Sequence, residues 1–144
     1  MSDLENIKWF KNQFKTKMED ILRGMPFSLD MLTAIAMQET GYIWGPLREQ
    51  MMVGEILKLC VGDTLDVPKR NKDAFPQNKA DLLSVPNGDR MFRIAREALE
   101  AVAKYNAGYR RVAKAYPNKF CHGFGIFQYD LQEIVKVNRD CSST

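Results

Sequence analysis

Apolar residues near the start of the chain recur at steps of three and four: Leu4, Ile7, Phe10, Phe14, Met18 and Ile21. This period predicts an amphipathic first helix, opened by the capping-box pair Ser2 and Glu5 and closed by Gly24 and Pro26. Ser28 is placed to cap a second helix, in which Leu29, Met31, Leu32, Ala34, Ile35, Ala36 and Met37 leave hardly any polar face. A helix apolar on nearly all sides is expected to be central, and Gly41 suits the left-handed residue that would close it. Met52, Val53, Ile56, Leu57 and Cys60 mark one side of a third helix, from about Arg48 to Cys60. Periodicity then stops. From Val61 to Asp89 the chain is punctuated by Gly62, Pro68, Pro76, Pro86 and Gly88, which predicts a long irregular loop or insertion with room for a short β-hairpin.

Asp89 can cap a fourth helix whose buried stripe is Phe92, Ala95, Leu99, Val102 and Ala103, running to about Asn106. Val112, Ala113 and Tyr116 suggest a short further turn before Pro117. In Gly123-Phe-Gly-Ile-Phe-Gln128, two glycines flank an aromatic, as in a backbone that needs unusual dihedrals or close approach by another group. Asp130 and Glu133 again have capping spacing, and Ile134, Val135 and Val137 begin a last helix that has little room before Thr144. The expectation is a mainly α single domain over 1–144, possessing one long loop at 61–89 and standing alone or as part of a longer chain.

Composition fits that picture: of 144 residues, 45% are hydrophobic and 27% charged, as in an ordered globular protein. No apolar run is long enough to span a bilayer, so no membrane partner is expected. The first residues lack the basic and apolar regions of a secretory signal, which implies synthesis in the cytoplasm. Three cysteines, Cys60, Cys121 and Cys141, form no CxxC pair and read as reduced thiols. Adding His122 gives separations unlike those of structural zinc motifs, so neither a metal nor another cofactor is expected. The net charge of +3 is mild, but residues 91–120 hold seven basic residues against two acidic ones. Such a face can attract an anionic glycan or nucleic acid, or simply be solvated; a nucleic-acid partner is not expected, because no helix-turn-helix signature accompanies it.

The chemistry-bearing residue is Glu39. In the last turn of its helix it would sit at the negative end of the helix dipole, and burial beside Tyr42 and Trp44 would also favour its protonated form. A carboxylic acid of that kind can act as a general acid.

Three segments together are similar to a known family. Ala-Met-Gln-Glu39-Thr-Gly-Tyr resembles the end of the helix that carries the catalytic glutamate of lytic transglycosylases and goose-type lysozymes. Gly123-Phe-Gly-Ile-Phe-Gln128 resembles their Gly-x-x-Gln segment, and Tyr105-Asn-Ala-Gly108 their Tyr-Asn-Ala-Gly motif. The chain thus resembles the lysozyme-like superfamily through short motifs spread over about two-thirds of its length. It departs from the pattern twice. Gln128 follows Glu39 by 89 positions, more than the family usually has, and Tyr105 precedes the glutamine segment instead of following it.

The resemblance implies a lysozyme-like helical domain that cleaves peptidoglycan or a related chito-oligosaccharide, with Glu39 as general acid and base. It implies that Gly123, Phe124, Gly125, Phe127 and Gln128 line the glycan groove and that Tyr105 positions the glutamate. Tyr42, Trp44 and Tyr129 are further aromatic candidates for groove walls, and Thr40 and Gln128 for hydrogen bonds to the acid or an N-acetyl group. A second carboxylate could come from Asp63, Asp66 or Asp130; lytic transglycosylases manage with the glutamate alone. A wall-cleaving enzyme without a signal would need export or another delivery route. The rival expectations are a non-catalytic helical module that binds glycan or protein, and a nucleic-acid-binding helical domain using residues 93–119. Because little follows Gln128, the groove's second wall is expected either from chain beyond residue 144 or from the helix spanning Arg93 to Tyr116.

Overall fold

The computed structural model describes residues 2–66 and 75–142, with side chains through residue 137. Among these residues the chain forms seven helices and one three-stranded antiparallel sheet, so the mainly α expectation holds. No described helix is long and apolar enough to cross a membrane.

Helix α1 (Asp3–Leu22) begins where the capping residues placed it, with the Ser2 amide donating to Glu5 Oε2 at 3.2 Å. It ends at Gly24, whose φ of +80° is the left-handed conformation glycine adopts without penalty. Trp9, Phe10 and Phe14 pack towards α2, where Trp9 stacks on Trp44 with ring centroids 5.4 Å apart.

Helix α2 (Leu29–Leu47) is capped by Ser28 Oγ, which accepts from the Met31 amide at 3.1 Å. It continues well past Gly41, correcting the expected end. Gly41 and Gly45 are buried in one flank of the helix, and α1 crosses there. A Cβ on Gly45 would lie 2.8 Å from Asn6 Nδ2, so that glycine serves close helix packing. Glu39 therefore sits in the interior of α2 and not in its last turn. The helix is also less central than its composition suggested. Met31, Ile35 and Tyr42 stay exposed, and the helix shared by both hydrophobic clusters is α5 (Gly88–Ala103). Leu99 and Val102 of α5 join the cluster around Phe10 and Trp44, while Met91 and Ala95 join the one around Phe120 and Leu131.

Helix α3 is shorter than expected, Val53–Leu59, because α2 continues to Leu47. The irregular stretch then supplies strand β1 (Val61–Leu65) and helix α4 (Lys79–Leu83), capped by Asn78; Pro68 lies outside the described residues. At the corner between α4 and α5, Asn87 adopts φ +60°, and a Cβ on Gly88 would overlap the Leu82 carbonyl oxygen. The helix thus starts one residue before the expected cap, and Asp89 falls in the first turn, where its charge suits the dipole.

The short turn expected around Val112 is a nine-residue helix, α6 (Ala107–Ala115), with Asn106 Oδ1 accepting from the Tyr109 amide. Two arginines staple α5 to α6. Arg96 donates to the carbonyls of Ala113, Tyr116 and Lys119 at 2.8–2.9 Å, and Arg110 to those of Ala103 and Lys104 at 3.0 and 2.8 Å. Each closes the C-terminal end of the other's helix.

Strands β2 (Phe120–Phe124) and β3 (Tyr129–Asp130) form the hairpin, which lies around the Gly123–Gln128 segment and not within 61–89. β1 pairs with the other edge of β2, giving the order β1-β2-β3. The last helix, α7 (Leu131–Ser142), buries Leu131 and Val135 while Val137 is exposed.

Candidate functional site

Glu39 projects from an exposed position of α2 and makes no hydrogen bond or ion pair to any described residue. Both features expected to favour its protonated form, the last-turn position and partial burial, are absent. Two long-range contacts flank it. One residue on, Thr40 Oγ1 donates to the Ile126 carbonyl at 2.7 Å, docking the Gly123–Gln128 loop on α2. Three residues on, the Tyr42 hydroxyl meets that of Tyr109 at 2.6 Å, docking α6. Residues three apart on a helix are neighbours, so Glu39 and Tyr42 share one face. The loop and α6 are thereby brought to the part of α2 that carries Glu39, despite the 89-residue separation of Gln128 in sequence.

Several expected contact residues have internal duties. Thr40 is fully buried and its hydroxyl is a tether, which removes it as a substrate ligand. Gln128, at φ +57°, folds back and donates through Nε2 to the carbonyls of Gly125 at 2.9 Å and Cys60 at 3.3 Å. Gly62 and Gly123 face each other across β1 and β2, and a Cβ on either would overlap Gln128 Oε1. Gly123 thus makes room for the glutamine, whereas Gly125, at φ +82°, is required by the turn. Trp44 is core, and Phe124 is partly buried between the two hydrophobic clusters. Tyr42, Phe127 and Tyr129 are exposed, and Phe127 is anchored edge-on to Phe10 with centroids 6.5 Å apart.

Tyr105 is exposed in a groove of about 400 Å³ with Met51, Met52, Leu59 and Ala101, on the α3 side of the molecule. The tyrosine that reaches α2 is Tyr109, which the motif did not single out. Burial pushes the Tyr109 phenol well above its ordinary range, and the Tyr42 hydroxyl and nearby Asp63 push it further. Burial likewise raises Tyr42, partly offset by its bond to Tyr109. Both hydroxyls therefore keep their protons at neutral pH. Tyr42 also lines a cavity of about 420 Å³ with Asn6, Met37, Gly41 and Gly45, but this opens on the α1 flank and Glu39 does not line it.

Two of the three possible second acids converge on one histidine. His122, on β2, has Nε2 at 3.6 Å from Asp63 Oδ2 on β1 and Nδ1 at 3.5 Å from Asp130 Oδ2 on β3. Asp66 lies apart, beside Asn78, Lys79 and Leu83 of the α4 region. His122 is opposed to Cys121 by strand alternation, since Cys121 points into the core. Burial pushes the Cys60 thiol up to about 11 and that of Cys121 up to about 12. Among the described residues no cluster of histidine, cysteine, aspartate and glutamate could hold a metal ion; the Cys141 side chain lies outside them. Comparisons with models of known families, with curated proteins and with solved structures find no match to this chain.

Proposed function

We propose that this chain cleaves peptidoglycan or a related N-acetyl-sugar glycan, with Glu39 as general acid and base. The observation that carries the reading is an exposed carboxylate on α2, unpaired among the described residues, one position before the tether of the Gly123–Gln128 loop and three before the Tyr42–Tyr109 pair. A glycan laid along that face would meet the exposed rings of Tyr42, Phe127 and Tyr129, whose apolar faces suit sugar rings.

In the single-carboxylate route, the Glu39 proton passes to the glycosidic oxygen as the bond from that oxygen to the anomeric carbon breaks. The resulting carboxylate then takes a proton from a hydroxyl of the same sugar as its oxygen bonds to the anomeric carbon, giving an anhydro-sugar. Hydrolysis is the other route, in which water attacks the anomeric carbon and Asp63 or Asp130 is available as a second carboxylate. Of the seven basic residues behind the nucleic-acid alternative, Arg96 and Arg110 are held by backbone carbonyls. A Glu39 in an ion pair with no groove over it would favour a silent binding module; among the described residues Glu39 has no ion pair, and it lines neither of the cavities described above. Clearing of a peptidoglycan suspension tests the proposal. Glu39→Gln is nearly isosteric and should slow clearing by at least ~100-fold, the contribution expected of a general acid. Equal rates for the variant and the native chain would remove Glu39 from the reaction.

A further inference from the structure

The strand order leaves β1 and β3 without backbone contact, because each pairs only with β2. β3 is two residues long, so its own ladder holds it weakly. Across this sheet lies a histidine flanked on both sides by carboxylates. The register places Asp63 opposite His122, between the partners Gly62↔Gly123 and Thr64↔Cys121, while Asp130 sits diagonally across on β3. The two oxygens of Asp130 divide their work: Oδ1 accepts from the Gln132 amide at 2.7 Å at the start of α7, and Oδ2 faces His122. Asp63 is held at φ +41°, a left-handed backbone uncommon for a residue other than glycine.

Both outer strands carry parts of the proposed groove. β1 contains Gly62, where a Cβ would stand 3.4 Å from the Tyr109 hydroxyl, and the Asp63 charge reaches both Tyr42 and Tyr109. β3 begins with Tyr129 and is joined through Gln128 to the loop that Thr40 tethers. A side chain between β1 and β3 thus links a strand close to Tyr109 with the hairpin, alongside the Gln128 bond to the Cys60 carbonyl.

We propose that His122 is a positioning residue of the groove, bridging Asp63 and Asp130 and so fixing the spacing between the Tyr42–Tyr109 pair and the Gly123–Gln128 hairpin. This rests on the glycan-cleaving reading. Its expected effect is on substrate affinity more than on stability or chemistry. The Asp63 side chain is 85% exposed and that of Asp130 51%, so the pairs are largely screened. His122 makes no hydrogen bond or ion pair to Glu39, so removing it leaves the proton donor in place.

The test uses the full chain and an N-acetylglucosamine oligomer. His122→Ala should raise KM roughly threefold to tenfold and leave kcat within about twofold, the split expected when uniform binding is lost. His122→Lys, which places a donor back between the two carboxylates, should recover most of the loss. Asp63→Asn should raise KM in the native background and add little in the His122→Ala background. An unchanged KM in His122→Ala, no rescue by lysine, or equal Asp63→Asn effects in both backgrounds would each overturn the proposal. Amide exchange at Tyr129 and Asp130 reads the bridge independently of activity and should quicken in His122→Ala. Faster exchange with no cleavage by the native chain would sink the glycan reading alone; unchanged exchange would sink the bridge.

Discussion

In the proposed reaction Glu39 depends on what its neighbours hold in place, and Thr40 offers the most direct test of that. Its hydroxyl satisfies the Ile126 carbonyl inside the core. Thr40→Val keeps the shape but leaves that carbonyl unpaired, so chemical denaturation should show a loss of about 1–3 kcal/mol. Thr40→Ser should lose much less. The two buried thiols make a second prediction. Because burial raises Cys60 to about 11 and Cys121 to about 12, the folded state keeps these protons after the unfolded chain has released them. Stability from this source is complete below the ordinary thiol range and is lost as pH rises through about 9 towards these values. The urea midpoint should fall over that window, and fall less steeply in a Cys60→Ala, Cys121→Ala variant. A steeper fall in that variant would contradict the assignment. At this scale motifs drew attention to Glu39 and Gln128, although Gln128 turns inward to backbone carbonyls. Tyr109 and the contacts of His122 were not legible, because each is defined by a residue far away in the chain, Tyr42 for one and Asp63 for the other.

Among the elements, α2 shows how one glycine can be read two ways. Gly41 looked like a terminator, yet α2 passes through it to Leu47, and the glycine that α1 packs closely against is Gly45. The two glycines should respond differently to alanine. At Gly41 a Cβ meets Met37 Sδ at 3.7 Å, an ordinary contact, so Gly41→Ala should stabilise the chain by roughly 0.5–1 kcal/mol through helix propensity. At Gly45 the Cβ presses on Asn6, whose Oδ1 is held by Arg48 Nε at 2.9 Å. Gly45→Ala should therefore lower the melting temperature, and opposite results at the two sites would refute this account of the α1–α2 crossing. The α5–α6 pair supplies a parallel case. Arg96→Ala removes donors from three carbonyls at the end of α6 and should cost on the order of 3 kcal/mol, as charged hydrogen bonds do. Substituting the exposed Arg111 should change stability by less than about 0.5 kcal/mol. Helices were legible because their apolar period is local. The sheet was not: Phe120-Cys-His-Gly-Phe124 has no clean alternation, and its pairing with Val61–Leu65 depends on a distant partner.

Over the whole molecule, the helices and the sheet converge on α2 near Glu39 from two sides, α6 through Tyr109 and the hairpin through Ile126. Tyr105, the expected link between the helix of residues 93–116 and Glu39, faces α3 instead, and the tyrosine that reaches α2 is Tyr109 of α6. The reciprocal arginine staples between α5 and α6 hold α6 in place, and they give a structural role to two of the seven basic residues of 91–120. The most direct measurement is mass analysis of the products when the native chain and Glu39→Gln are each incubated with purified peptidoglycan. The account predicts that the native chain releases soluble disaccharide fragments, and that Glu39→Gln, melting at the same temperature, releases them at least ~100-fold more slowly. Fragments appearing at equal rates, or none from the native chain, would contradict it.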